Sequence, residues 1–307
     1  GELAFDVGLT PKPDSKLAEA VAAVKTGSSL FGHMVGAAGA INVAANTHLG
    51  NDFSAWIAKG VREGVEEILR SLEVELNEGK TKDELNNLFD GLFPKTESGD
   101  FDAVWTFRPG EKKSAMLAGI RVIDGKKCEA ALKKLAAVLP AEAKKKLRLD
   151  VETVSGFAIH AVETDDLPLD SVFGPSPLYF GFRDNAVILG YGENAAKQVG
   201  EALAGVRPAP APTLLVDITL GKLQKVLDET AQGIYPVIKN ILGTDDRLRL
   251  LMAEVQGGSA LKARASVSLQ VIFGATYGLG IAAGPAVPAN PVPPVPPAPP
   301  PAVPPGR

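Results

Sequence analysis

Residues 178–205 read LYFGFRDNAVILGYGENAAKQVGEALAG. Tyr179, Phe180 and Phe182 lead as a strand into Asp184-Asn185, two residues that tolerate the left-handed backbone of a tight hairpin. Ala186 to Leu189 returns as a second strand. Gly192-Glu193-Asn194 then breaks the strand and opens a helix whose apolar positions, Ala195, Val199, Ala202 and Leu203, follow a 3.6-residue period. A strand, a turn and a small Ala-rich helix recur in this order over residues 2–24, 115–139, 186–205 and 213–227. The strands between come as hairpins, which pair antiparallel. The expected fold class is therefore α+β: an antiparallel sheet built from repeated strand–turn–helix units, with the helices on one face.

Working outward, ELAFDVGL at residues 2–9 alternates with period 2 and reads as a half-buried strand. Asp14 or Ser15 caps a helix with Leu17, Ala20, Val21 and Val24 on one side. Residues 40–45 read as a short buried strand. From Phe53 an amphipathic helix of about six turns carries Trp56, Ile57, Val61, Val65 and Leu69. Gly60 and Gly64 fall on its stripe, which predicts close approach of another element. Thr81 with Glu84 gives a capping-box pattern for a second helix. Residues 103–107 and 115–123 read as strands around Pro109-Gly110, then Asp124-Gly125 opens a helix with Cys128, Leu132, Leu135, Ala136 and Leu139 on one face. Ser155-Gly156 joins two further strands. Helical segments are expected between 221 and 255, and a last strand from Leu261.

The 307 residues suffice for one large domain or two smaller ones. A globular region is expected over 1–284, with candidate sub-boundaries near 95–100 and 207–212. Residues 285–307 are dominated by Pro, Ala and Val, and proline removes backbone donors and fixes φ. That end is expected to be a disordered, extended tail. The formal net charge of −4 gives no electrostatic reason to hold nucleic acid. The uncharged stretch 266–283 is diluted by serine and glycine, so no integral membrane span is favoured. The first residue is Gly1, and the lack of a leader therefore says nothing of compartment.

Chemistry has few footholds. Gly190-Tyr191-Gly192-Glu193-Asn194-Ala195 has the G-x-G-x-x-A form of a dinucleotide turn, with Asp217 on the next strand. The strand before it is a hairpin arm, however, and Glu193 would set a carboxylate against a pyrophosphate. None of His33, His48 and His160 has a histidine three or four residues away; a fold that joined His33 to His48 would be the route to a metal. Cys128, the single cysteine, lies on an apolar stripe and reads as core, although Lys126 and Lys127 would activate it if it were exposed. Glu163, Asp165, Asp166 and Asp170 form an acidic loop without EF-hand spacing. No catalytic, cofactor or metal residue is assigned.

Three stretches, residues 9–24 (LTPKPDSKLAEAVAAV), 124–140 (DGKKCEAALKKLAAVLP) and 176–203 (SPLYFGFRDNAVILGYGENAAKQVGEAL), together resemble a loosely defined group of exported proteins of unknown function from planctomycete-type bacteria. The resemblance implies export to the periplasm or cell surface and supplies no catalytic residue. The expected function is a non-enzymatic binding or assembly protein whose partner is another protein or a second copy. The alternatives are a carrier of lipid or another apolar ligand, its cavity covered by the helix from Phe53 with Trp56 at the rim, and a metal-dependent enzyme.

Overall fold

The computed structural model describes residues 2–23, 28–36, 38–49, 51–71, 79–93, 99–163, 170–223, 249–256 and 260–269. The acidic loop from 164 to 169, the part of the expected helical region at 224–248, and the tail at 285–307 lie outside the described residues. The last helix expected before 255, with Leu251, Met252 and Val255 on its stripe, is instead strand β12 (Arg249–Gln256), because its apolar residues pair into the ladder between β11 (Leu214–Thr219) and β13 (Leu261–Ser268).

The opening hairpin forms as read. β8 (Leu178–Arg183) and β9 (Ala186–Gly192) pair antiparallel, with Arg183 opposite Ala186 across the two-residue turn. The turn chemistry differs from expectation, because neither Asp184 nor Asn185 has positive φ. Their carbonyls face outward to accept from the amides of Gly125 (2.8 Å) and Val122 (3.0 Å), and the turn takes the backbone those bonds require. The left-handed pair sits instead at Ser155 (φ 53°) and Gly156 (φ 86°), between β6 (Leu147–Val154) and β7 (Phe157–Val162).

Around this hairpin lies an eleven-stranded antiparallel sheet in the order β1-β13-β12-β11-β3-β4-β5-β9-β8-β7-β6. Its remaining strands are β1 (Glu2–Leu9), β3 (Ile41–Leu49), β4 (Gly99–Arg108), β5 (Ala115–Arg121), β11 (Leu214–Thr219), β12 (Arg249–Gln256) and β13 (Leu261–Ser268). β2 (Ser28–Ser29) and β10 (Ala209–Pro210) make a separate short pair. One continuous ladder spans both candidate sub-boundaries. β3 pairs with β4 across residues 95–100, and β11, beyond residues 207–212, pairs back onto β3.

The helices cover both faces, which corrects the one-face expectation. Alternate residues of β9 decide it. Val187 and Leu189 join a core with Leu85, Leu88 and Phe89 of α3 (Gly79–Leu92) and Cys128, Leu132 and Leu135 of α4 (Gly125–Val138). Ala186 and Ile188 point the other way, into a core with Val199, Ala202 and Leu203 of α7 (Ala195–Gly205) and with Leu30, Phe31 and Met34. Each Leu, Ile, Val, Phe or Met side chain fully buried among them is worth about 1.5–3 kcal/mol of transfer free energy. Gly190 admits this packing, since a Cβ there would lie 2.6 Å from Val199 Cγ2. The strand–helix pairs β5–α4 and β9–α7 are thus both present, but their helices sit on opposite faces.

Local signals fare unevenly. Ser15 Oγ accepts from the Ala18 amide (3.1 Å) and caps α1 (Lys16–Ala23). The Asp124 side chain accepts from Lys127 (2.9 Å) and caps α4. α3 begins at Gly79, so Thr81 lies inside the helix and no capping box forms; Glu84 accepts from Asn87 instead. On α2 (Asn51–Ser71), no described residue comes within 4 Å of where a Cβ on Gly60 or Gly64 would lie, so the expected close approach is not seen among the described residues. β1 is exposed along its whole length rather than half-buried.

Candidate functional site

The register carries one row of side chains across nine strands. Val7 stands beside Ala263, then Val255, Leu214, Ala45, Ala103, Ile120, Val187 and Phe182. At the β8–β9 end α3 and α4 cover this face, leaving Val187 only 6% exposed. At the β1 end the same face lies open: Phe5 is 58% and Val7 66% exposed. Leu3, Leu9, Leu214 and Leu251 are exposed as well.

The opposite face of these strands reverses the usual order of burial. Polar side chains lie inside: Asn42 and Thr106 bond across β3 and β4 (2.9 Å), and Asn46, Ser266 and Ser268 are buried. Buried Asp102 accepts from Ser29 Oγ (2.7 Å) and the Leu30 amide (2.6 Å), which clamps the turn that carries Phe31 and Met34. Burial pushes the Asp102 carboxyl above its ordinary value, against those hydrogen bonds. β13, β3 and β4 therefore bury polar groups, alongside Ala44 and Val104, on one face, while β1 exposes Leu3, Phe5, Val7 and Leu9 on the other. Exposed apolar patches are where candidate contact surfaces are sought. α2 (Asn51–Ser71) follows β3 in the chain and carries Trp56, 67% exposed. The C-terminal part of α2 is anchored by Leu69 in the core and by Arg62, which stacks on Phe89 and bonds Asn86 (2.7 Å).

A second constellation was not assembled by sequence reasoning. Glu129, Asp150 and His160 offer ligand atoms all within 4.8 Å of one another. His160, on β7, has no exposed surface and packs between the rings of Phe180 (5.4 Å) and Phe182 (5.9 Å). Its Nδ1 accepts from the Asp150 amide (3.0 Å), which fixes the neutral ring's proton on Nε2. Nε2 lies 3.6 Å from Glu129 Oε1 and has no hydrogen-bond partner. Lys133 Nζ bridges the two carboxylates, 2.8 Å from Glu129 and 3.2 Å from Asp150. A cation therefore already sits between the acids, and the nitrogen facing them carries a proton rather than a lone pair. The cluster is an internal ion network, with no lone pair aimed at a metal. Burial lowers the pKa of His160, with the two carboxylates opposing, while the hydrogen bond to Glu129 raises that of Lys133.

The other candidate residues resolve into structure. β9 is antiparallel to both β5 and β8, so Gly190–Ala195 lacks the parallel βαβ frame of a dinucleotide site. The Glu193 carboxylate accepts from the amides of Lys112 (3.2 Å) and Lys113 (3.0 Å) and secures the turn between β4 and β5. These bonds hold its pKa low. Gly192 needs its φ of 99°, and a Cβ there would lie 2.3 Å from the Ser114 carbonyl. Asp217 lies at a register position opposite Asn42. His33 Nε2 meets the Ala202 carbonyl at 2.9 Å, and Arg183 donates to those of Leu203 and Ala204, so both side chains cap the end of α7. His48 holds a register position opposite Asp100 at the end of β3. Cys128 is fully buried, and burial, with Asp124 adding, pushes its thiol up to about 12 despite Lys127. Glu163 pairs with Arg148.

No protein-family model matches the chain, and neither a curated protein nor a solved structure shows significant similarity to it. Among the described residues, no helix is long and apolar enough to cross a membrane.

Proposed function

We propose that this chain is a non-enzymatic binding protein, exported to the periplasm or cell surface, that works through the open apolar face of its sheet. The observation that carries the reading is the exposed apolar row on one face, Leu3, Phe5, Val7 and Leu9 with Leu214 and Leu251, while Asn42, Asp102 and Thr106 lie buried on the other. A solvated sheet gains nothing from that arrangement; a sheet that meets an apolar partner does. The ionisable side chains that sequence and structure bring forward, Glu129, Lys133, Asp150, His160 and Glu193, bind one another or backbone amides. The export component rests on the family resemblance of residues 9–24, 124–140 and 176–203. The proline-rich composition of residues 285–307 suits a spacer or tether to an envelope partner.

The test is binding of the apolar fluorophore 1-anilinonaphthalene-8-sulfonate to the native protein. Fluorescence enhancement is expected in the wild type and in Ala4→Asp, which places a charge on the other side of β1. It is expected to fall by at least about ten-fold in the double variant Phe5→Asp, Val7→Asp, since a carboxylate in an apolar site costs well over 1.4 kcal/mol. Equal enhancement in all three proteins sinks the reading. Turnover of a common esterase, phosphatase or glycosidase substrate does so too.

A further inference from the structure

We infer that the open face takes the acyl chains of individual lipid molecules, a reading that rests on the binding function just proposed. The chemistry of the face selects hydrocarbon. Its register positions in β1, β13, β11, β3 and β4 carry no charge, and Thr47 supplies its single hydroxyl. From β13 to β4 every strand has a neighbour on both sides, so the backbone donors and acceptors are consumed within the sheet. A peptide, or a second copy adding a strand, has use for the outer edge of β1; the face itself offers such a partner no hydrogen bond. Hydrocarbon needs none.

Charge separates a bound lipid from a bilayer surface. Docking on an anionic membrane draws on clustered Lys and Arg beside the apolar surface. Here the formal net charge is −4, and the charged residues of β1, β13 and the paired part of β12, Glu2, Asp6, Lys262, Arg264 and Glu254, hold register positions on the opposite side of the strands, where Arg264 pairs with Asp6. The driving force left is burial of the chains. The dimensions suit them. A strand of eight residues runs about 26 Å, and the outermost of the six strands from β1 to β4 stand about 24 Å apart, whereas a chain occupying half a bilayer core extends about 15 Å. Several chains fit along the strands.

The experiment is native mass spectrometry of the full chain purified without detergent from its own host, followed by incubation with phosphatidylglycerol vesicles doped with a fluorescent phospholipid. The wild type is expected to carry lipid adducts and to remove labelled lipid from vesicles in solution. Phe5→Asp, Val7→Asp is expected to carry at least about ten-fold less, with an unchanged circular dichroism spectrum, while Ala4→Asp retains lipid. Protein free of lipid from its host and unable to take it from vesicles overturns the inference; if the fluorophore still distinguishes the variants, the binding face stands and only its ligand is wrong. A dimer in light scattering that the double variant dissolves assigns the face to a second copy and overturns it. Co-flotation with intact vesicles, without lipid extraction, assigns the face to a bilayer surface and does the same.

Discussion

At the scale of single residues, His160 has the most consequential environment. It is neutral, inaccessible, and tied through Nδ1 to the Asp150 amide at a position where β6 is irregular and Asp150 takes a φ of 50°. A second proton would have to enter at Nδ1, against that amide. Burial depresses its folded pKa below the ordinary 6.5, with the acids on α4 and β6 opposing and Lys133 assisting. The unfolded chain then binds a proton that the folded chain refuses. The stability due to this group is fully present above about pH 6.5 and is lost as pH falls from there toward the folded value. Urea midpoints of the wild type should drop between about pH 7.5 and pH 5. His160→Gln, whose amide oxygen can accept from Asp150 and does not titrate, should show a smaller drop. An equal drop in both proteins would place the acid sensitivity elsewhere.

Helices and strands show how far the chain could be read unaided. The hairpin, the cap at Ser15, the helix start at Asp124-Gly125 and the buried stripe of α4 were legible because each depends on residues within one turn or one strand. What failed was non-local. Alternation in ELAFDVGL identifies a strand, but which face is covered depends on β13 and on helices far along the chain, and among the described residues no helix covers either face of β1. The Glu129–Lys133–Asp150–His160 cluster was invisible because it joins α4 to two strands at spacings no motif describes; a helical i,i+4 Glu–Lys pair was its only local trace. The expectation that Gly60 and Gly64 mark a helix crossing failed for the same reason. Both residues are exposed, neither has positive φ, and no described residue would lie within 4 Å of a Cβ at either position. They therefore only weaken α2. Gly60→Ala and Gly64→Ala should each stabilise the protein by about 0.5–1 kcal/mol, seen as a higher denaturation midpoint. Destabilisation by either would reveal a neighbour packed on that side of the helix.

For the molecule as a whole, the sheet is graded from one end to the other. β9 and β8 are buried on both faces, β3 and β4 on one, and β1 on neither. Opening free energies within a single sheet follow buried apolar contact and distance from an edge. Native-state hydrogen exchange should therefore be slowest for the ladder amides of β9 and β5. It should quicken through β3 and β11 and be fastest in β1, whose outer side is an edge. The gradient bears on function, because a face that admits and releases a ligand needs strands that yield locally without unfolding the core that anchors them. α3, α4 and α7 hold that anchor at the β8–β9 end, so β1, β13 and β12 can open at low cost while the rest stays folded. Addition of the bound ligand should then slow exchange in β1 and β13 far more than in β9, by closing the open face rather than by stabilising the whole chain. Uniform protection across the sheet, or uniform slowing on ligand addition, would mean that the two ends unfold as one unit and that no such division of labour exists.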